Sequence, residues 1–187
     1  QRHMVVGILT VLGVLASAGQ GVAGDSIKPV DRCQELAIGD RSSFVLVKDL
    51  YSFGQDCLTI TSNNLTLDLA GFAIVGAGTG KGIVSSAAIQ GVTVRNGTVR
   101  GFAVGVSLGG TGNAIADVRV ENNTDTGLFL GASSIADHLV VQGNWQYGAI
   151  LSTANTFKNS SVRANGSTPV SIGLSAGPGS TITGNTI

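Results

Sequence analysis

Between Ala136 and Asn144 the chain reads ADHLVVQGN: Leu139 and Val141 are apolar, two residues apart, and an asparagine follows Val141 by three positions. The same pattern recurs along the chain. Aligned on Val141, the counterparts are Leu67, Val94, Val120, Val162 and Ile182, at intervals of 27, 26, 21, 21 and 20 residues. Two positions earlier stand Leu65, Val92, Val118, Leu139, Ser160 and Ser180; three positions later stand Ala70, Gly97, Asn123, Asn144, Asn165 and Asn185. A second motif keeps pace with the first: Gly105-Val-Ser-Leu, Gly127-Leu-Phe-Leu, Gly148-Ala-Ile-Leu and Ser171-Ile-Gly-Leu, with a weaker copy at Gly82-Ile-Val-Ser.

Alternation with period two marks strands that bury one face. No window sustains apolar residues at three-and-four spacing, and Gly and β-branched residues crowd every repeat, which argues against helix. A unit of about 21 residues holding two or three short strands is one coil of a solenoid, each strand pairing with its equivalent in the next coil. The fold class predicted is all-β, a single-stranded right-handed parallel β-helix. Leu139 and Val141 then point inward and stack on Val118 and Val120 on one side and on Ser160 and Val162 on the other. Asn123, Asn144, Asn165 and Asn185 are expected at the bends, paired amide to carbonyl as a ladder.

Composition agrees with such a core. Hydrophobic residues make up 43% of the 187 positions, but aromatics only 5% and charged residues 12%. Val, Ile, Leu and Ala must therefore fill the interior, and 28 glycines serve the turns. Eleven basic and eleven acidic residues cancel, which leaves no footprint for nucleic acid.

Residues 1–23 read differently. Arg2 and His3 precede an apolar run from Met4 to Ala16, and Ala16-Ser17-Ala18 follows an A-x-A pattern, as in a secretory signal peptide. A transmembrane anchor, the alternative, needs roughly 20 apolar residues. The mature chain is thus expected without a membrane span, and to be secreted, periplasmic or at the cell surface. In an oxidising compartment Cys33 and Cys57, the only cysteines, would pair and close a loop, a gain of roughly 3 kcal/mol in the chain-entropy description; the alternative is two free buried thiols. Residues 24–60 are assigned to an N-terminal cap carrying this bridge and a first strand, and 61–187 to the β-helix. The repeat runs to Ile187 with no capping segment and the chain starts with Gln, so a C-terminally truncated fragment is expected.

"NNLTLDLAGFAI" (63–74) followed by "GVTVRNGTVRGF" (91–102) resembles the opening coils of the pectin-lyase-like superfamily of parallel β-helices, and is most similar to exported bacterial proteins with short β-helix repeats. "CQELAIGDRSSFVLVKDLYSFGQDCLTI" (33–60) is similar to their N-terminal segment. The resemblance implies the fold; its enzymes act largely on acidic polysaccharides, but one scaffold carries many activities.

The motifs of those enzymes are incomplete here. Asn123-Thr124-Asp125 matches the N-T-D of polygalacturonases, yet the positions one and two coils on are Asn144-Trp145-Gln146 and Gly166-Ser167-Thr168. Two opposed carboxylates for inverting hydrolysis are therefore missing. The lyase pattern R-x-P-x-x-R does not occur, and Tyr147-Gly148 lacks the epimerase D-P-H-D that should follow. His138 is the single histidine after the leader, so no zinc or copper cluster is expected. No cofactor is evident; calcium would be expected only of a lyase.

Two surface features remain. The outward residues Asp68, Arg95, Glu121, Gln142, Arg163 and Thr183 follow the reference positions. They form either a solvated ion-pair ladder or a polar track on which a glycan lies. Trp145 and Tyr147 flank one bend and offer either a stacking platform for sugars or a plug over the loop. The candidate ligand-binding residues are therefore Asp68, Arg95, Glu121, Arg163, Trp145 and Tyr147. The function expected is an exported β-helix protein that binds polysaccharide without a complete active site. The alternatives are a fragment of a polysaccharide lyase, hydrolase or epimerase, and an adhesin-like surface module.

Overall fold

Strands that alternate apolar and polar residues, separated by bends, wind into a right-handed parallel β-solenoid of about seven turns at roughly 22-residue spacing. This architecture is seen in a computed structural model that describes residues 27–187 apart from positions 38, 40, 168 and 170. The leader predicted at 1–23 lies outside the described residues. No described residue is helical, and no helix among them is long and apolar enough to cross a membrane.

Each coil presents three faces. Strand Ile135–Asp137 lies on the first, Val140–Gln142 on the second and Tyr147–Leu151 on the third. The first two faces belong to a twelve-stranded parallel sheet and the third to a seven-stranded one. In earlier coils the first two faces are one strand that bends midway, as in Thr93–Arg100 and Ala114–Glu121. That bend is made by residues in the left-handed region: Asn96, Asp117, His138 and Asn159, with φ between 50° and 60°. Short polar side chains tolerate this conformation because they bond locally. The strands of residues 28–60 stack on the same two sheets, Lys28–Val30 through Ser43–Leu46 and Gln34–Leu36 through Leu58–Ile60.

Inward side chains stack like on like. Phe44, Leu67, Val94, Ile115, Ala136 and Phe157 form the first-face column. Ile74, Val99, Val120, Val141 and Val162 form the second-face column. All are 4% exposed or less, and each of these side chains other than Ala136 contributes about 2 kcal/mol. The structure corrects the single column expected from sequence. Leu67, Val94 and Ile182 belong to the first face, whereas Val120, Val141 and Val162 continue Ile74 and Val99 on the second. The stacking of Val141 between Val120 and Val162 holds.

The polar ladders also divide. Asn123 donates through Nδ2 to Asn144 Oδ1 (2.8 Å), and Asn144 through Nδ2 to Asn165 Oδ1 (2.8 Å). Asn185, expected as the next rung, lies in another column: its Oδ1 accepts the Ser160 amide, and the Ser160 hydroxyl oxygen accepts the Leu139 amide. A third ladder, unforeseen, runs Asn113, Ser134, Asn155, Ser180. Many corners thus turn at a left-handed residue and follow it with an inward Asn or Ser that accepts a backbone N–H of the adjacent coil, whereas the bends at Asn96, Asp117 and His138 are followed by Gly97, Val118 and Leu139. The glycine motif explains itself against the asparagines: a Cβ on Gly127 would stand 2.5 Å from Asn144 Nδ2. Its last copy is Gly173, which stacks beside Gly148, rather than Ser171. The register thus places the motif two residues later than its pattern suggested.

The disulfide joins Cys33 to Cys57. It clips together two neighbouring third-face strands, Gln34–Leu36 and Leu58–Ile60, which already pair in parallel.

Candidate functional site

The outward polar residues do not form one track. On the first face Arg95 Nε lies 2.9 Å from Asp68 Oδ2, and the column continues through Ala116, Asp137 and Lys158 to Thr183. On the second face the order is Arg100, Glu121, Gln142, Arg163. Asp68 and Arg95 are therefore brought together, as are Glu121 and Arg163, but the two sets occupy different faces.

Apart from Arg100, the charged groups within each set are hydrogen-bonded. Partial burial alone would raise the Asp68 carboxyl, but the Ala70 amide, the Asn96 side chain and Arg95 outweigh it and hold its pKa below the ordinary carboxylate value. Asp137 is also lowered, chiefly by the hydrogen bond from Asn159 and further by Lys158 and His138. Glu121 Oε2 accepts from Arg119 (2.9 Å) and from Gln142 Nε2 (2.8 Å), while Gln142 Oε1 accepts from Arg163 Nε (3.0 Å). The second face is thus a connected ladder of guanidinium, carboxylate and amide groups.

That ladder ends at a corner. Past Gly143 and Asn144 the chain runs through Trp145 and Gln146 into Tyr147, the first residue of its third-face strand. The backbone here is clamped on both sides. The amides of Trp145 and Tyr147 donate to the carbonyls of Asn123 and Asp125, and the carbonyls of Trp145 and Gln146 accept from Ser167 and Ile172. The indole is 56% exposed, so a large ring projects from rigid backbone. Tyr147 is half-buried and stacks between Thr126 and Ile172.

The third face carries a different surface. One column runs Glu35, Thr59, Val84, Ser107, Phe129, Ile150 and Ser175, and the next runs Lys81, Val104, Thr126 (buried), Tyr147 and Ile172. The charges, Glu35 and Lys81, lie in the early coils, and from Val104 and Ser107 onward these columns carry none. Trp145 therefore stands where a charged, hydrogen-bonding face meets a stretch of the third face that is uncharged and largely apolar. Asp125, stacked beside Gln146, adds a buried carboxylate oxygen, Oδ1, with no hydrogen-bond partner among the described residues. In the sequence Asp125 stood out only through the N-T-D match, because its orphan oxygen exists only once neighbouring coils are in register.

A second feature escaped the sequence. Beside the disulfide lies an open groove of about 510 Å³, lined among others by Glu35, Tyr51, Phe53 and Asp56. The spacing Tyr51-x-Phe53 before Gly54, inside the loop closed by the cysteines, was its one available signal. Among the described residues, no three of His, Cys, Asp and Glu gather as metal ligands. No protein-family model matches the chain, and no curated protein or solved structure matches it.

Proposed function

We propose that this chain is an exported β-helix protein, of the pectin-lyase-like kind, that binds a polysaccharide along its outer surface at the Trp145 corner. The observation that carries this reading is the position of Trp145, beside Tyr147, between the Glu121–Gln142–Arg163 ladder and the uncharged stretch of the third face from Val104 and Ser107 onward. A sugar ring is itself two-sided: its C–H face stacks on aromatic rings while its hydroxyl rim exchanges hydrogen bonds with amides, carboxylates and guanidinium groups. Successive coils repeat at about 4.8 Å, so a chain of sugars meets several rungs at once. Export is supported by the leader pattern at 1–23 and by the Cys33–Cys57 bridge, which suits an oxidising compartment.

Trp145 is the chain's single tryptophan, so its fluorescence reports on the site directly. Titration with oligogalacturonate, oligoalginate and a neutral cello-oligosaccharide is expected to shift and saturate that emission for at least one of them. Calorimetry on Trp145→Ala should then show about tenfold weaker binding, equivalent to roughly 1.4 kcal/mol. If none of the three glycans changes the emission, the reading fails.

A further inference from the structure

We propose that the groove beside the Cys33–Cys57 bridge binds a small organic ammonium ion, independently of any polysaccharide at the Trp145 corner. The groove is open to solvent, and its volume of about 510 Å³ is in the range of small-molecule sites. Its floor is rigid. The disulfide lies against it, Cys57 is buried, and the Cys57 amide donates to the Lys81 carbonyl at 2.9 Å. Its rim is fixed as well: the Ser52 amide donates to the Val75 carbonyl at 2.9 Å, and the Ser52 hydroxyl bonds back to Gln55.

Two features define the ligand. The first is aromatic: Tyr51 is 60% and Phe53 91% exposed. In a chain with nine aromatic residues (six Phe, two Tyr, one Trp), two rings are held in water at one groove, where folding alone would bury them. The second is charge. Glu35 and Asp56 line the same groove, and among the described residues no Lys, Arg or His lines it. Each carboxylate is anchored by one oxygen: Glu35 Oε1 accepts from the Thr61 hydroxyl and Asp56 Oδ1 from the Lys81 amide, both at 2.8 Å. Among the described residues the second oxygen of each has no protein donor.

Aromatic faces and carboxylates attract the same kind of guest. The negative face of a ring receives a cation, best a weakly hydrated one whose charge is spread over methyl or methylene groups. Anionic glycans and phosphates are repelled by the two carboxylates. A hard divalent ion keeps an oxygen shell made largely of water and makes no use of the two rings. An alkylammonium ion satisfies both features together.

The test compares choline with its neutral isostere 3,3-dimethylbutan-1-ol, followed by NMR on the full chain. Choline is expected to give saturable shifts confined to residues 51–57 and their neighbours, with Trp145 unmoved, and the isostere to bind at least about tenfold more weakly. Phe53→Ala removes a side chain that the core does not use, and Asp56→Asn keeps an acceptor for the Lys81 amide, so both variants retain the fold. Each should weaken choline about fivefold. Equal binding of choline and the isostere, or no saturable shift at residues 51–57, would overturn the proposal.

Discussion

Asparagine and serine occupy equivalent bends, yet they do different work there. Asn144 is 1% exposed and uses its whole amide: Oδ1 accepts from the amide and side chain of Asn123, and Nδ2 donates to Asn165 Oδ1 and the Val120 carbonyl. Asn155 uses half of its amide. Its Oδ1 accepts the Ser134 amide at 2.8 Å, while its Nδ2 is buried without a partner, and its ladder neighbours are serines. A serine hydroxyl supplies the acceptor that the Asn155 column needs and removes an unmet donor. Asn155→Ser is therefore expected to change stability by less than about 0.5 kcal/mol, and Asn144→Ser to cost about 3 kcal/mol. Urea denaturation with unchanged m-values checks both, and equal costs would show that the ladders are not the source. Charge makes a separate contribution at this scale. The Asp68 pKa is lower folded than unfolded, so the folded state binds fewer protons. Its stabilisation is complete above the unfolded value of about 3.9 and fades as pH falls through the lower folded one. Below about pH 4, denaturation midpoints of Asp68→Asn should fall less steeply than those of the parent; parallel acid limbs would contradict this origin.

At the scale of strands the decisive quantity is register. Val94-Arg95 and Val99-Arg100 sit five residues apart in one strand, on either side of the bend at Asn96. Either pair can be aligned with Val120-Arg/Glu neighbours by pattern alone, because both are an apolar residue followed by a charged one. Stacking selects Ile115 as the partner of Val94 and leaves Val120 to Val99. Cysteines at positions 95 and 116 therefore face each other across neighbouring strands and should cross-link under mild oxidation, whereas cysteines at 95 and 121 should not. Peptide mass mapping reads the outcome, and a 95–121 bridge would restore the single column. The coil period, the inward valines and the placement of Trp145 and Tyr147 on one bend were legible because alternation and spacing are local properties. The split of Asp68–Arg95 from Glu121–Arg163, the orphan oxygen of Asp125 and the Tyr51–Phe53 groove were not. Each depends on which coil lies beside which, and one left-handed residue separates one face from the next.

Across the whole molecule, contacts join each coil to its two neighbours, so stability is nearly a sum of coil and interface contributions rather than one all-or-none quantity. The Cys33–Cys57 bridge spans 24 residues and links strands Gln34–Leu36 and Leu58–Ile60, at one end of the seven-stranded sheet. Reducing it should cost roughly 3 kcal/mol by releasing loop entropy in the unfolded chain. In a solenoid that loss is felt first where the constraint acted. Hydrogen exchange under reducing conditions should therefore speed up at the amides of those two strands, while Val140–Gln142 and Tyr147–Leu151, several coils away, keep most of their protection. The double variant Cys33→Ser/Cys57→Ser should give the same map without reductant. A uniform rise in exchange along every strand would instead mean that the coils melt as one unit, and that the columns of stacked valine and isoleucine transmit unfolding as strongly as they transmit order.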